Sequence, residues 1–339
     1  MSTSVAVIGA GSWGTALAVL LARNGHRATL WGRDPGHLAT LSLDRCNQRY
    51  LPGCTFPDHL AVTGDLGMAV AAADILLIAV PSHAFRDSLS RLQAHLTKPP
   101  KIAWATKGLE CHSSKMLHEV VAEMLGPETP AAVLSGPTFA GEVAADQPTA
   151  ITVASKDLGF AKEMADLLHN PHFRAYTTED VIGVQLGGAT KNVLAIAAGM
   201  ADGLGFAANA RAALITRGLA EMMRLGLALG GKPETLMGLA GVGDLILTCT
   251  DNQSRNRRFG LGLGRGLARD EVAGQIGQEI EGVLTAAVIH SLAKSHQVEM
   301  PITEQIYFIL HEGLSPSEAV RNLLLRDQKP ENCRSAGIG

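Results

Sequence analysis

Aromatic residues and cysteines are both scarce in this 339-residue chain. Only 4% of the residues are Phe, Trp or Tyr, and five cysteines are scattered along the sequence, at Cys46, Cys54, Cys111, Cys249 and Cys333. These odd and scattered cysteines show neither a paired disulfide framework nor the close ligand spacing of a structural zinc site. Such usage is typical of a reducing compartment, so we expect a cytoplasmic protein.

The sequence also lacks long apolar runs and a strong excess of one charge. The longest apolar runs, such as Ile75 to Val80, fall far short of the roughly 20 residues that span a bilayer. No basic region precedes an apolar stretch at the N-terminus, so we expect no signal peptide. A net charge of −3 argues against a general affinity for nucleic acid or anionic membranes. We therefore expect a small-molecule partner, with no nucleic acid and no membrane span.

The first half of the chain alternates short β-branched runs with helical stretches. A chain of this length usually forms two domains, and this alternation predicts an α/β fold with a doubly wound, Rossmann-type parallel sheet. We predict strands at 5–8, 28–31, 75–80, 102–105, 131–134 and 150–153.

Beyond about residue 180 the pattern becomes helical, and thirty-seven glycines in the whole chain indicate tight turns and closely packed helices. We predict helices at 181–201, 207–230, 233–239, 255–266, 282–294 and 302–311. The predicted organisation is a dinucleotide-binding domain over 1–185, an all-helical substrate-binding domain over 186–330 and a tail over 331–339. The domain boundary should fall inside a long helix, because no Pro/Ser-rich linker marks it.

A glycine turn joins the first predicted strand to the first helix. In Gly9-Ala-Gly11-Ser-Trp-Gly14, the first glycine permits the turn, the second lets a pyrophosphate approach, and the third lets helix pack on strand. The motif alone is weak, but its position between strand and helix predicts a dinucleotide site. Arg33 and Asp34 stand at the position whose side chain recognises the adenosine ribose of the cofactor. Arg33 favours NADP through a 2′-phosphate, whereas Asp34 as the reader would allow NAD.

Lys191 lies in a predicted helix that is almost devoid of charge. No acid stands three or four positions away, and the neighbours include Gly187 and Gly188, which allow another backbone or a ligand to come close. A lysine in such surroundings loses solvation, which lowers its pKa toward values useful for proton transfer. The alternative is a lysine that extends past small residues to solvent.

A polar turn follows Asp244 and leads into arginines at positions 255, 257 and 258. Ser254 has the side chain of a helix N-cap, so Arg255 and Asn256 should open a helix whose free N–H groups bind an anion such as phosphate. Position alone does not decide whether Lys107 binds a ligand or is merely exposed to solvent. Position also does not decide whether Ser135-Gly-Pro-Thr138 is a ligand-binding turn or an ordinary Gly-Pro turn.

Together these stretches resemble the soluble bacterial NAD(P)-dependent sn-glycerol-3-phosphate dehydrogenases over essentially the whole chain. The spacing of lysine, aspartate and Ser-Arg-Asn is much more specific than the glycine motif. Thr138 stands where many members carry serine, and Trp13 where members vary among aromatics. The resemblance rests on residues 9–18, 107–110, 134–140, 191–199, 238–245 and 254–258.

The resemblance implies interconversion of sn-glycerol 3-phosphate and dihydroxyacetone phosphate, in the supply of glycerol phosphate for phospholipids, by a homodimer. It implies that Lys191 is the general acid/base for the C2 oxygen. The implied substrate contacts are Lys107, Gly136, Thr138, Lys191, Asp244, Ser254, Arg255 and Asn256. Besides Gly9, Gly11 and Gly14, the implied contacts of NADP (favoured) or NAD are Ser12, Trp13, Arg33, Lys107, Ala140, Arg255 and Glu281. No metal is expected, because none of the usual ligand spacings occurs.

Two other functions remain to be weighed on these residues. A two-domain dehydrogenase acting on a hydroxy acid needs a carboxylate clamp but has no reason for the turn at Ser254. A non-catalytic dinucleotide sensor would keep the glycine turn but has no need of Lys191 in an apolar helix.

Overall fold

The structure is a computed structural model that describes residues 2–328 and residue 330. The predicted tail, 331–339, lies outside the described residues. Within the described part the strands are β1 (Ser4–Ile8), β2 (Arg27–Trp31), β3 (Cys46–Asn47), β4 (Leu51–Thr55), β5 (Leu60–Thr63), β6 (Ile75–Ile78), β7 (Ile102–Trp104), β8 (Ala131–Ser135), β9 (Thr149–Ala154) and β10 (Phe173–Thr178).

Eight of these strands form one sheet, in the order β10-β9-β8-β7-β6-β1-β2-β5. The predicted doubly wound sheet is confirmed, with one correction. β8 and β9 run antiparallel, whereas the other neighbours in the sheet run parallel. The connection from β8 to β9 contains only the five-residue helix Ala140–Ala144, which packs against the first helix rather than crossing the sheet. The chain therefore re-enters the sheet from the end at which it left.

Both faces of the sheet are buried, which explains the apolar character of its central strands. In β1, Val5 and Val7 belong to one core cluster, whereas Ala6 and Ile8 belong to the cluster on the opposite face. The edge strands β5 and β10 are only partly buried and were not predicted, because they carry few buried apolar residues. β3 and β4 form a separate antiparallel pair.

The first seven helices accompany the sheet and the rest form the helical half of the chain. They are α1 (Ser12–Arg23), α2 (Pro35–Asp44), α3 (Leu66–Ala71), α4 (Phe85–Gln93), α5 (Leu117–Leu125), α6 (Ala140–Ala144), α7 (Leu158–Leu168), α8 (Val181–Gly203), α9 (Ala208–Ala228), α10 (Pro233–Leu236), α11 (Asp244–Thr250), α12 (Arg255–Gly264), α13 (Arg269–Ile276), α14 (Glu281–Ser295), α15 (Pro301–His311) and α16 (Pro316–Leu324).

Helix α8 is the central element of the helical half and contains the predicted domain boundary. Among the described residues it alone has the length and hydropathy of a membrane span, with a mean hydropathy of 1.3, but 94% of that window is buried inside the protein. It is therefore a core helix, packed against α9, α11, α12, α14 and α15. The length of α8 corrects the sequence-based expectation that every apolar stretch is too short to span a bilayer, but its burial gives no indication of a membrane span.

Three helices of the second half were not predicted, and a fourth was predicted too long. The missed helices are α11, α13 and α16, and the helix predicted at 233–239 ends at Leu236. A π-helical turn, Leu239–Gly243, then leads directly into α11. Gly241 is required there because a Cβ at this position would overlap the carbonyl oxygen of Leu236. α11 was missed because Leu245 to Thr250 consists of residues that also suit a strand.

Candidate active site

The glycine turn after β1 lies at the point where the order of the strands reverses. β1 sits between β2 and β6, so the carboxyl ends of β1 and β6 bound the crevice where ligands of such sheets bind. Gly9 has a φ of +124°, and a Cβ there would lie 2.6 Å from the carbonyl oxygen of Ala79. A Cβ on Gly14 would overlap the carbonyl oxygen of Gly9. Each of these two positions therefore requires glycine.

Gly11 differs from the other two glycines because nothing lies within 4 Å of the position of its missing Cβ. Gly11 is also the N-cap of α1 and makes no side-chain cap, and the partly exposed Ser12 and Trp13 follow it in the first turn. Open space over a helix N-terminus without a side-chain cap fits the pyrophosphate of a dinucleotide.

Arg33 and Asp34 both lie exposed beyond the end of β2. Asp34 is the N-cap of α2, and its Oδ1 accepts hydrogen bonds from the backbone N–H groups of Gly36 and His37, at 3.0 and 3.2 Å. One carboxylate oxygen of Asp34, the alternative ligand of the ribose, is therefore occupied by the helix cap. Oδ2 is the oxygen that would remain for a ribose hydroxyl.

Asp244 joins two lysines from different parts of the chain. Its Oδ2 accepts from Lys107 Nζ at 2.6 Å, and its Oδ1 accepts a shorter bond from Lys191 Nζ. Lys191 Nζ also donates to Thr248 Oγ1 at 2.9 Å. Only 8% of the Lys191 side chain and 1% of that of Asp244 are exposed. Of the two interpretations of Lys191, the buried one is therefore correct, and its acid comes from α11 rather than from its own helix.

Burial and the shared carboxylate change the pKa values of this cluster. Desolvation lowers the pKa of Lys191 to about 7; Asp244 opposes the shift and Lys107 adds to it. Burial alone would raise the pKa of Asp244, but Lys107 and Lys191 together hold it below its usual value. With all three groups charged the cluster carries one net positive charge in a nearly dry site, which favours a developing negative charge beside it.

The close approach that Gly187 and Gly188 allow is observed on both sides of α8. A Cβ on Gly187 would overlap the carbonyl oxygen of Ala240 in the π-helical turn, and one on Gly188 would lie 2.8 Å from Ser135 Oγ. These glycines bring the end of β8 and the start of α11 against the helix that carries Lys191. The carbonyl oxygen of Gly136 accepts from Lys107 Nζ and from Thr138 Oγ1, both at 3.1 Å.

Ser254 caps α12 as predicted, since its Oγ accepts from the backbone N–H of Arg257 at 3.2 Å. The N–H groups of Arg255 and Asn256 stand in the first turn, where a helix has no backbone acceptor for them. The three arginines of this segment differ in their surroundings. Arg257 is buried and pairs with Asp202, Arg258 is exposed, and Arg255 is partly buried, 3.4 Å from Gln278 Oε1.

The amide of Asn256 is used within the protein. Its Nδ2 donates to Asn192 Oδ1 and its Oδ1 accepts from the backbone N–H of Gly282, both at 2.9 Å. The residue therefore ties α12 to α8 beside Lys191 and to the start of α14. One hydrogen of Nδ2 remains for a ligand.

Glu281 and Ala140 lie on elements that border the same region. Glu281 accepts from the Oγ and the backbone N–H of Ser82 at 3.0 and 3.3 Å, and its Oε2 is 3.6 Å from the position of a Cβ on Gly108. Ala140 opens α6, whose Glu142 accepts from Gln253 Nε2 at 2.7 Å in the turn before Ser254.

Sequence patterns did not single out Thr248, Asn192 or Ser82, which contact the predicted site residues. A signal for Thr248 existed, because it stands four positions after Asp244 and so shares its helix face. Asn192 follows Lys191 directly. Ser82 carries no such signal, since its partner Glu281 lies 199 residues away in the sequence.

Comparison with known proteins identifies the family. The model of the NAD-dependent glycerol-3-phosphate dehydrogenase N-terminus matches residues 4–161, and the model of the C-terminus matches residues 180–321. Glycerol-3-phosphate dehydrogenase [NAD(P)+] of Methylococcus capsulatus is 61% identical over 332 residues, covering 98% of this chain and 99% of the relative. The enzyme of the same name from Edwardsiella ictaluri is 57% identical, covering 98% of each chain.

A solved structure agrees with the sequence comparisons. The crystal structure of glycerol-3-phosphate dehydrogenase from Coxiella burnetii superposes with a TM-score of 0.93 at 50% identity, covering 96% of this chain and 99% of that one. The glycine turn, the buried lysine and the capped arginine turn thus occur in a chain that belongs to the NAD-dependent glycerol-3-phosphate dehydrogenase family.

Proposed function

We propose that this chain interconverts sn-glycerol 3-phosphate and dihydroxyacetone phosphate with NADP(H) or NAD(H). The observation that carries the proposal is the buried cluster of Lys107, Lys191 and Asp244. It combines a proton donor with net positive charge, and the relatives of highest identity carry this activity in their names. A non-catalytic sensor has no use for such a cluster, and a hydroxy-acid dehydrogenase has none for the capped turn at Ser254.

Lys191 is the group that exchanges a proton with the C2 oxygen of the substrate. In the direction of reduction its ammonium stabilises the alkoxide as it forms and then delivers the proton. Asp244 holds the ammonium in place and Lys107 shares that carboxylate, so neither lysine needs to reorganise during the reaction. The bound nicotinamide ring supplies or accepts the hydride.

The phosphate of the substrate binds at the start of α12. The N–H groups of Arg255 and Asn256 and the positive end of the helix dipole favour a dianion there, and the Arg255 guanidinium adds a charge-assisted bond. Asn256 connects this anchor to Asn192, the neighbour of Lys191. Thr138, Gly136 and Ser254 complete the substrate site.

The cofactor binds across the crevice beside β1. Its pyrophosphate lies over Gly11 between Gly9 and Gly14, and Arg33 favours NADP by meeting its 2′-phosphate. Further contacts come from residues that border the crevice: Ser12, Trp13, Lys107, Ala140, Arg255 and Glu281. In this proposal the cofactor contacts come mainly from the predicted domain 1–185 and the substrate contacts mainly from 186–330. Lys107, Gly136 and Thr138 reach the substrate, and Arg255 and Glu281 reach the cofactor, from the other domain.

The cellular setting follows from the reaction. A cytoplasmic enzyme of this kind supplies glycerol 3-phosphate for phospholipid synthesis. It functions as a homodimer, and candidates for its interface are large apolar side chains exposed on the helical half: Phe206, Leu227, Met237 and Ile246.

The direct test follows NADPH and NADH oxidation with dihydroxyacetone phosphate, using unphosphorylated dihydroxyacetone as the control. Rapid oxidation with the phosphorylated ketone alone is expected, because the turn at Ser254 anchors phosphate. Arg255→Ala should weaken the response to dihydroxyacetone phosphate by about tenfold or more, the usual size of a lost charge-assisted hydrogen bond. Protein that binds NADPH but oxidises neither cofactor would exclude the proposed reaction.

A further inference from the structure

A second arginine, Arg49, lies beside the predicted ribose reader although it stands 16 positions beyond Arg33 in the sequence. Its Nη1 is 3.9 Å from Asp34 Oδ2, the carboxylate oxygen that the helix cap leaves unused. Its guanidinium also lies over the ring of Tyr50, with Cζ 4.9 Å from the ring centroid. The ring in turn meets His37 of α2 edge-on at 5.2 Å.

The backbone around Arg49 is anchored to the glycine turn. Asn47 Nδ2 donates to the carbonyl oxygen of Ala10 at 3.1 Å and to Thr15 Oγ1 at 2.8 Å, and Asn47 Oδ1 accepts from the backbone N–H of Tyr50. Gly32 packs against Ala10 from the other side, where an added Cβ would lie 3.0 Å from the Ala10 side chain. Arg33 and Arg49 therefore approach the ribose end of the crevice from two separate segments.

The charges at this end make Arg33 alone a poor holder of a 2′-phosphate. The first N–H groups of α2 are already bonded to Asp34, so the helix start offers no amide to the phosphate. The Asp34 carboxylate is itself exposed and would repel the dianion. A second cation that faces the free oxygen of Asp34 offsets part of this repulsion.

We infer that Arg49 is a specificity-determining residue for NADP, which neutralises Asp34 and clamps the 2′-phosphate opposite Arg33. With NAD the free oxygen of Asp34 accepts from the 2′-hydroxyl and Arg49 makes no contact that depends on the cofactor. This inference rests on the proposed cofactor site and assigns its preference to a pair of arginines rather than to Arg33 alone.

The test compares Arg49→Ala with Arg91→Ala, which removes an exposed arginine of α4 at a distance in sequence from this site. The probes are 2′,5′-ADP and 5′-AMP, which differ in the 2′-phosphate, measured by calorimetry together with NADPH and NADH. Arg49→Ala should weaken the binding of 2′,5′-ADP and NADPH by about five- to tenfold, a value reduced by solvent screening. The binding of 5′-AMP and NADH should be unchanged. Arg91→Ala should change none of the four.

Two further variants separate charge from packing. Arg49→Lys keeps the charge but loses the planar fork, so it should retain part of the preference. Asp34→Asn keeps an N-cap and removes the negative charge, so NADPH should bind more tightly and NADH more weakly. Equal weakening of both cofactors in Arg49→Ala, or no change at all, would overturn the inference.

The same variants distinguish this inference from the proposed reaction. Dihydroxyacetone phosphate reduction should proceed at the wild-type rate in Arg91→Ala, whereas Arg49→Ala should need more NADPH to reach the same rate. Wild-type protein that fails to reduce this ketone would remove the proposed reaction, while the binding data would still decide the role of Arg49.

Discussion

Lys191 is held by an acid from another helix, and its titration should be visible in the rate. In the proposed mechanism, reduction needs the protonated form of Lys191, whereas oxidation of glycerol 3-phosphate needs the neutral amine. Because burial lowers the pKa of Lys191 to about 7, kcat/KM for reduction should fall as the pH rises through about 7, and kcat/KM for oxidation should rise. Initial rates in both directions between roughly pH 5.5 and 9 would check this.

Removal of the Lys191 amine should abolish turnover without preventing cofactor binding. Lys191→Ala is expected to lower kcat by about 10²–10⁴, the usual contribution of a positioned general acid. NADPH binding should persist, because the glycine turn lies on the sheet half. Lys162→Ala, which removes an exposed lysine of α7, is the matched control and should leave kcat unchanged. A Lys191→Ala variant with near wild-type turnover would exclude the assigned role.

Thr248 should act through Lys191 rather than on the substrate. Its hydroxyl donates to the carbonyl oxygen of Asp244 at 2.6 Å and accepts from Lys191 Nζ, so it stabilises the ammonium. Thr248→Val should lower kcat/KM for reduction about five- to twentyfold and move the pH limb of Lys191 to lower pH. Thr248→Ser should restore both. A lower rate with an unmoved pH profile would indicate a purely structural role.

At the scale of elements, the contact between α8 and α12 sets the distance from the proposed phosphate anchor at Ser254 to Lys191. Glycines line it on both sides. An added Cβ would overlap a backbone carbonyl oxygen of the facing helix at Gly199, Gly203, Gly260 and Gly264. The two backbones therefore touch, and the glycine-rich sequence of this half is explained by close helix packing.

Gly260→Ala tests this contact because its Cβ would meet the carbonyl oxygen of Ile196. The variant should lose about 1–3 kcal/mol of unfolding free energy from overpacking, and the KM for dihydroxyacetone phosphate should rise because α12 is displaced. Gly274→Ala on α13 is the control, since nothing lies within 4 Å of its Cβ position. That change should stabilise the protein by about 0.5–1 kcal/mol through helix propensity. Chemical denaturation of both variants would measure these changes in unfolding free energy and so test the contact.

At the scale of the whole molecule, Glu281 of the helical half is bonded to Ser82 of the sheet half. Burial and the neighbouring Glu279 together raise the pKa of Glu281 to about 7, against the hydrogen bonds from Ser82. The folded protein therefore keeps this proton between about pH 4.5 and 7, where the unfolded chain releases it. The stability that Glu281 contributes is complete below pH 4.5 and is lost as the pH rises through about 7.

Glu281→Gln should remove this pH dependence. Between about pH 5 and 8 the wild type should lose about 1–2 kcal/mol more unfolding free energy than the variant, a value already reduced for partial exposure. Glu271→Gln, at an exposed position on α13, should behave as the wild type. Parallel stability curves for wild type and Glu281→Gln would contradict the assigned pKa.

The sequence by itself determined those features whose signals are local. Residues within a few positions of one another identify the glycine turn, the Ser254 cap and the lack of an acid near Lys191 on its own helix. Turns, caps and helix faces depend on near neighbours. The alternation of strands and helices likewise predicted the doubly wound sheet. The element ends and the edge strands β5 and β10 were not predicted, since these strands have few buried residues and so leave little pattern.

Only the tertiary structure decided which distant groups meet. Asp244 lies 137 residues from Lys107 and 53 from Lys191, and its carboxylate joins them because the glycines of α8 let β8 and α11 approach. The antiparallel entry of β9 and the pairing of Arg49 with Asp34 were also decided at this level. Contacts of this kind depend on packing between elements, which no local pattern along the chain encodes.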